Sequence, residues 1–316
     1  MKPAPLYGTE PPAVAKRSIK RRMGEIASHA LMPILKYAAR PYLGGETVED
    51  ALCVAARLAR EGHAVAFSHW DIGSESAAEI EAIGLDAMTA LSGTAYESYL
   101  ALKPPALHFS RPAARRLASA SKAHGIRLHF DSHGADVVDL QTAMLAEMLE
   151  VVGPECLGTT IPGRLDRSPD DAEWAIARGL AVRVVKGEWP EPGVAPCDLR
   201  KKFLDVIDQL AGRARHVAVA THDLVLGQAA IHRLRAADTA CEIEVLLGMP
   251  ADPLLAWAKS NDVRTRVYVP YGRGFIPNAV GILRHNPRLA LTIARAQLVP
   301  GRAQRGQNAL TSPLPK

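Results

Sequence analysis

Polar and charged side chains recur at the ends of short β-rich runs along this chain: His69, Lys103, Asp131, Thr160, Lys186, Thr221 with His222, Glu244 and Tyr268. Arg183 and Arg266 fall inside two further stretches of the same kind. A cation taken out of water is costly unless it meets an anion. Lys103, Arg183, Lys186 and Arg266 together therefore point to an anionic ligand, either a phosphate-bearing cofactor or a carboxylate substrate. Each residue also has a plainer reading. Arg183 and Lys186 would form a structural ion-pair layer with Asp131 and Glu244. Asp131 would cap the helix that follows it, and His222 would be a hydrogen-bonded core histidine.

Other chemistries lack their patterns. His129 and His133 are close in sequence, but one sits within a β-rich run and the other beyond its end. No His-x-His and no paired Cys-x-x-Cys occurs, so no metal site is expected. The nucleophile elbow Gly-x-Ser-x-Gly is absent, as are the glycine-rich loops that cradle phosphates.

The elements that must carry these residues alternate from residue 44 onward. A helix starts at Gly45-Glu46-Thr47, with Ala51, Val54, Ala55 and Leu58 on one face. Strands are predicted at 64–69, 99–103, 126–131, 156–161, 181–186, 216–222, 241–247 and 264–270. Helices are predicted near 75–91, 112–123, 137–151, 169–178, 198–212, 224–236, 251–259 and 276–284. The strands read as mostly continuous apolar runs, the pattern of parallel strands buried on both faces. Such alternation predicts an α/β protein with a closed (β/α)8 barrel, with a doubly wound open sheet as the runner-up. In a barrel the chemistry lies at the C-terminal ends of the strands, where these polar residues stand. The division expected is a helical arm over 1–40, a barrel over 41–298 and a flexible tail over 299–316.

Composition agrees with an ordinary globular chain. Of 316 residues, 48% are hydrophobic and 22% charged, which excludes a disordered chain or a disulfide miniprotein. The net charge of +5 is a mild excess, and 5% aromatics disfavour base-stacking platforms, so no nucleic-acid partner is expected. The basic run Lys16 to Arg22 reads as a solvated helix face. Four widely spaced cysteines, no apolar run of spanning length and no signal-peptide core lead to a cytoplasmic expectation.

Seven segments in order resemble the proline dehydrogenase family. They are ARPYLGGETVEDALCVAARLAREG (39–62), LALKPPAL (100–107), RLHFD (127–131), VRVVKGEW (182–189), VAVATHD (217–223), EIEVLLGM (242–249) and RVYVPYG (266–272). The resemblance covers roughly residues 38–290. It implies a (β/α)8 barrel that holds FAD and takes a hydride from the carbon next to an amine. It places Arg183 beside the flavin ring, Lys186 and Gly187 at the ribityl chain and pyrophosphate, and Thr221 and His222 on the adenosine or diphosphate side. Glu244 stands at the family's glutamine. Lys103 holds a substrate carboxylate, Asp131 is an active-site acid, and Trp189 and Tyr268 line the substrate pocket. The implied partners are a small amine and a quinone or other electron acceptor. A membrane quinone would give the basic run at 16–22 a role in peripheral membrane contact.

The chain departs from the family at the substrate. The family's last helix carries Tyr-Leu-x-Arg-Arg-Leu, whose two arginines clamp a carboxylate. In GFIPNAVGILRHNP (274–287) those arginines fall on Gly281 and Ile282, and the tyrosine falls on Asn278. Arg284 lies out of phase. Neither Gly nor Ile replaces a bidentate arginine. After the first strand, HWDIGSE (69–75) replaces the family's Leu-Gly-Glu, leaving Glu75 as a displaced equivalent. On the fourth strand the family's Gln-Ala-Tyr becomes Pro162-Gly163-Arg164, which sets a new charge, Arg164, on the flavin side. The expectation is a flavin-dependent dehydrogenase with a rebuilt pocket, acting on proline or on another secondary or cyclic amine. The alternatives are a non-redox barrel enzyme, such as a lyase or hydrolase, and a non-catalytic binding protein.

Overall fold

The protein is described by a computed structural model over residues 42–274, except 192, 195 and 196. The expected arm over 1–40, the tail over 299–316 and the helix near 276–284 lie outside the described residues. In chain order the elements are α1 (Val48–Arg60), β1 (Ala64–His69), α2 (Ala77–Ser92), β2 (Ser98–Leu102), α3 (Arg111–His124) and β3 (Arg127–Phe130). They continue with α4 (Val138–Val152), β4 (Leu157–Pro162), α5 (Ser168–Ala177), β5 (Ala181–Val185) and α6 (Leu199–Leu210). The last are β6 (His216–Ala220), α7 (Leu224–Ala236), β7 (Cys241–Leu246), α8 (Asp252–Ser260) and β8 (Thr265–Tyr271). None of the described helices is long and apolar enough to cross a membrane.

Local sequence sets the helix starts. Thr47 caps α1 in a box with Asp50, and Ser76 caps α2 in a box with Glu79. Each box satisfies two backbone N–H groups that the first turn leaves open. Val48, Ala51, Ala55 and Leu58 form the buried stripe of α1, the three-and-four spacing that aims one helix face at the sheet. Asp198 and Asp223 cap α6 and α7, the two helices that flank β6.

The strands close into a parallel barrel in sequence order, with β1 pairing β8 from Ala64↔Arg266 to His69↔Tyr271. Alternate residues divide the two faces. Val65, Phe67, Leu100, Phe130, Val184 and Ile243 face outward and join the helices in one large apolar core. Phe67 is fully buried, and Phe67→Ala should cost about 3–5 kcal/mol.

The inward face differs from the expectation of strands apolar on both sides. Ala66, Tyr99 and Ala101 form only a small apolar cluster there. The rest is polar, because β3, β5, β7 and β8 alternate charged residues with aliphatic ones, as in RLHF and CEIEVL. These side chains meet across the barrel, where ion pairs and hydrogen bonds replace water.

The layer nearest the N-terminal end holds Arg266. Its Nε donates to Glu242 at 2.7 Å, one terminal nitrogen to the Val65 carbonyl at 2.8 Å and the other to Glu97 at 2.9 Å. Arg266 therefore does not join the strand-end cations, since its register sets it beside Ala64 at the start of β1. Next to it His216 lies 3.9 Å from Glu242, and burial pulls its pKa down to about 4. One layer up, His129 stacks on Tyr99 with ring centroids 5.0 Å apart and meets the Thr160 hydroxyl at 3.1 Å. Gly158 makes room for that ring, since a Cβ there would collide with it.

Candidate active site

Five residues, from four strands and the loop after β3, form one hydrogen-bonded chain across the barrel. Tyr99 on β2 donates to Glu244 Oε2 on β7 at 2.6 Å. Arg183 on β5 donates to Glu244 Oε1 at 3.1 Å and, with its other terminal nitrogen, to Asp131 Oδ1. Tyr268 on β8 donates to Asp131 Oδ2 at 2.7 Å. Asp131 itself follows β3, with its backbone N–H bonded to the Leu102 carbonyl at 2.8 Å. Arg183 also lies over the Tyr268 ring, 5.1 Å from its centroid.

One guanidinium thus serves two carboxylates. Burial works against the Arg183 charge, yet Asp131, then Tyr99 and Glu244, hold its pKa well above the ordinary value. Burial pushes Glu244 up, and its share of Arg183 and the Tyr99 hydroxyl offset only part of that. Burial and then the Asp131 charge push the Tyr268 hydroxyl well up, so it stays a donor. The ion-pair reading of Arg183 with Asp131 and Glu244 thus describes its contacts, whereas Lys186 stands elsewhere.

This chain floors a cavity of about 210 Å³ at the C-terminal mouth. Asp131, Arg183, His133, Val185, Gly187 and Trp189 are among its lining. Arg183 keeps one buried donor, Nε, without a partner. A buried N–H left unmet costs about 1–3 kcal/mol, and Arg183 also brings a fixed positive charge to the cavity lining. Lys103 follows β2 directly, with its ammonium 4.7 Å from the centre of the Trp70 ring. Burial lowers its pKa, while Asp131, Asp71 and Glu188 pull it back up.

The rim beside β5 and β6 is basic and narrow. Lys186 lies 3.5 Å from Asp223, and Arg200 pairs with the same carboxylate. Two cations on one anion leave positive charge for a further anion. Gly187 takes φ +93°, and a Cβ there would stand 2.9 Å from Arg164 Cβ, so glycine alone fits this turn. Arg164 donates to the Glu188 carbonyl at 2.7 Å, tying the β4 end to the β5 loop. Thr221 Oγ1 accepts from the Asp223 N–H at 3.1 Å. His222 Nε2 accepts from the Leu246 N–H at 2.9 Å, and burial lowers its pKa to about 4.

The structure therefore brings Asp131, Arg183, Glu244, Tyr268, Lys103, Trp189 and Gly187 to one end of the barrel. Lys186, Arg164, Thr221 and His222 lie along the adjoining rim. Asn278, Gly281 and Ile282 lie outside the described residues. Glu75 approaches His69 at 3.7 Å and accepts from the Ile72 N–H at 2.8 Å. Three residues at this end escape a reading of strand ends. Tyr99 sits early in β2 and reaches Glu244 only across the barrel. Trp70 and His133 lie in loops, where no period marks them. No cluster of three metal-ligating side chains occurs among the described residues.

Comparison with known proteins finds similarity to proline dehydrogenases and to proline utilization A structures. The chain is 28% identical over 263 residues to a protein named proline dehydrogenase 1 from Bacillus subtilis subsp. natto, covering 75% of this chain and 83% of that one. A proline dehydrogenase from Deinococcus radiodurans is 25% identical over 192 residues, 58% of this chain and 62% of its own. Among solved structures, proline utilization A from Bdellovibrio bacteriovorus, inactivated by N-propargylglycine, superposes with a TM-score of 0.71 at 17% identity. That match takes in 95% of this chain and 38% of the larger protein. Proline utilization A from Corynebacterium freiburgense gives 0.63 at 17% identity, over 89% of this chain and 34% of that one. No protein-family model matches the chain.

Proposed function

We propose that this chain, a divergent relative of the proline dehydrogenases, is a flavin-dependent dehydrogenase that oxidises the carbon next to an amine nitrogen. The observation that carries the reading is Arg183. It lines the cavity at the C-terminal mouth, is fixed from both sides by Asp131 and Glu244, and keeps Nε unmet. A fixed cation with one free donor is what an electron-accepting heteroaromatic ring needs beside it.

The residues present fit FAD. The cavity of about 210 Å³ would take a ring system, and Lys186 with Arg200 on the rim would take a pyrophosphate. Arg183, Gly187 and Arg164 would stand beside the ring end, and Thr221 and His222 toward the nucleotide end. When bound, the flavin supplies a two-electron acceptor, reoxidised by a quinone or another acceptor. The rest falls to this chain. Asp131, paired with Arg183, orients the amine. Tyr268 holds Asp131 in place. Trp189 and Val185 narrow the cavity and shed water from it.

The substrate is a small secondary or cyclic amine. The arginine pair that clamps a carboxylate in the family falls on Gly281 and Ile282 here. Lys103, whose ammonium rests on Trp70, would hold a carboxylate in their place. Spectroscopy of the purified protein tests the reading. The expected preparation is yellow or takes up added FAD, and bleaches without oxygen when an amine is supplied. A colourless protein that ignores FAD overturns it.

A further inference from the structure

We propose that His133 is the proton acceptor of this site, removing the proton that an amine substrate must lose before its neighbouring carbon can release a hydride. The inference rests on the amine-dehydrogenase reading above. An alkylammonium titrates near the lysine value of about 10.4, so the substrate arrives protonated at neutral pH. A protonated nitrogen has no lone pair with which to form a C=N bond. A base inside the site must therefore take that proton.

The other cavity groups are committed elsewhere. Both Asp131 oxygens already accept, one from Arg183 and one from Tyr268 at 2.7 Å, so a proton taken there would weaken the buried ion pair with Arg183. Glu244 lies below the cavity floor, closed by Tyr99 and Arg183. Lys103 keeps its ammonium against Trp70. Arg183 cannot give up its charge. Glu188 stands on the exposed side of the lining.

His133 lines the same cavity, two residues past Asp131 in the loop that leaves β3. Its ring enters no hydrogen bond among the described residues, and its Nδ1 is buried without a partner. The charged and titratable groups around it are Asp131, Asp136 and Asp71 on the acidic side and Lys103 on the basic side. Burial outweighs them and lowers the imidazole pKa below its ordinary value, so the ring is neutral at neutral pH. The step is a proton transfer only. The substrate N–H bond breaks, its electron pair stays on nitrogen, and the proton bonds to an imidazole nitrogen. The imidazolium then sits beside the Asp131 carboxylate, which stabilises it, and returns its proton to water at the mouth.

The test is the anaerobic rate of flavin bleaching in the FAD-loaded full chain, measured against pH with L-proline and with pyrrolidine as probes. The wild type should rise through an acid limb and level off. His133→Ala should slow bleaching by about 100-fold or more near pH 7, lose that plateau and recover when imidazole is added to the buffer. FAD uptake and thermal midpoint should stay as in the wild type. Bleaching of His133→Ala with the wild-type rate and pH profile overturns the proposal. So does loss of the limb in Glu188→Gln with His133 intact. A wild type that takes no FAD, or that neither amine bleaches, defeats the dehydrogenase reading, and this inference with it.

Discussion

Tyr268 on β8 donates its hydroxyl to Asp131 Oδ2 beyond β3 at 2.7 Å, a contact spanning 137 positions of sequence. It crosses the mouth of the barrel and leaves Asp131 only one oxygen, which Arg183 takes. The carboxylate is thereby fixed in direction as well as in charge.

Tyr268→Phe removes that donor and keeps the ring over which Arg183 lies. Leaving the Asp131 oxygen unmet should cost about 1–3 kcal/mol in urea unfolding. Bleaching by an amine should slow, because Asp131 gains a rotamer. An unchanged rate with lowered stability would confine Tyr268 to a structural role.

Arg183→Ala should impair flavin reduction, and the structure adds a cost in stability. Asp131 is 5% exposed and Glu244 2%, and both rely on this one guanidinium. Breaking a buried pair from one side costs about 3–5 kcal/mol. Arg183→Ala should therefore lose stability as well as activity in thermal unfolding. The triple variant Asp131→Asn, Arg183→Met, Glu244→Gln, which removes both carboxylate charges with their cation, should recover stability and not activity.

Lys103→Met separates two substrate classes. For a carboxylate substrate such as L-proline, KM should rise about tenfold or more, since a charge-assisted bond is worth about 1.5–3 kcal/mol. For pyrrolidine, which has no carboxylate, KM should stay within about twofold. Equal effects on the two would remove Lys103 from carboxylate binding.

Stability should fall in mild acid. His222 and His216 are both held neutral, with pKa values of about 4 set by burial. The unfolded chain binds their protons near pH 6.5, so between about pH 6.5 and pH 4 it holds more protons than the native state. Stability then decreases as pH falls through that window, by an upper bound on the order of 3 kcal/mol for each histidine. Urea midpoints measured from pH 7.5 to 4.5 should show this slope. In His222→Gln, which retains an acceptor for the Leu246 N–H, the slope should be shallower.

Much of the architecture is legible along the chain, because it depends on neighbours in sequence. The capping boxes Thr47/Asp50 and Ser76/Glu79 start helices from residues three apart, and the short strands alternate with helices often enough to close a barrel. Strand-end residues such as Lys103, Asp131 and Lys186 lie at the C-terminal end because parallel strands all point one way. Register and the crossing of the barrel are not local. They set Arg266 beside Ala64 at the far end, send Lys186 to Asp223, and bring Tyr99 to Glu244. The sequence by itself determined the alternation of strands with helices and the residue types at the strand ends. Only the tertiary structure decided which of them meet. Closure places side chains from non-adjacent strands within hydrogen-bond reach, and in that dry interior each charge must take the partner that geometry offers.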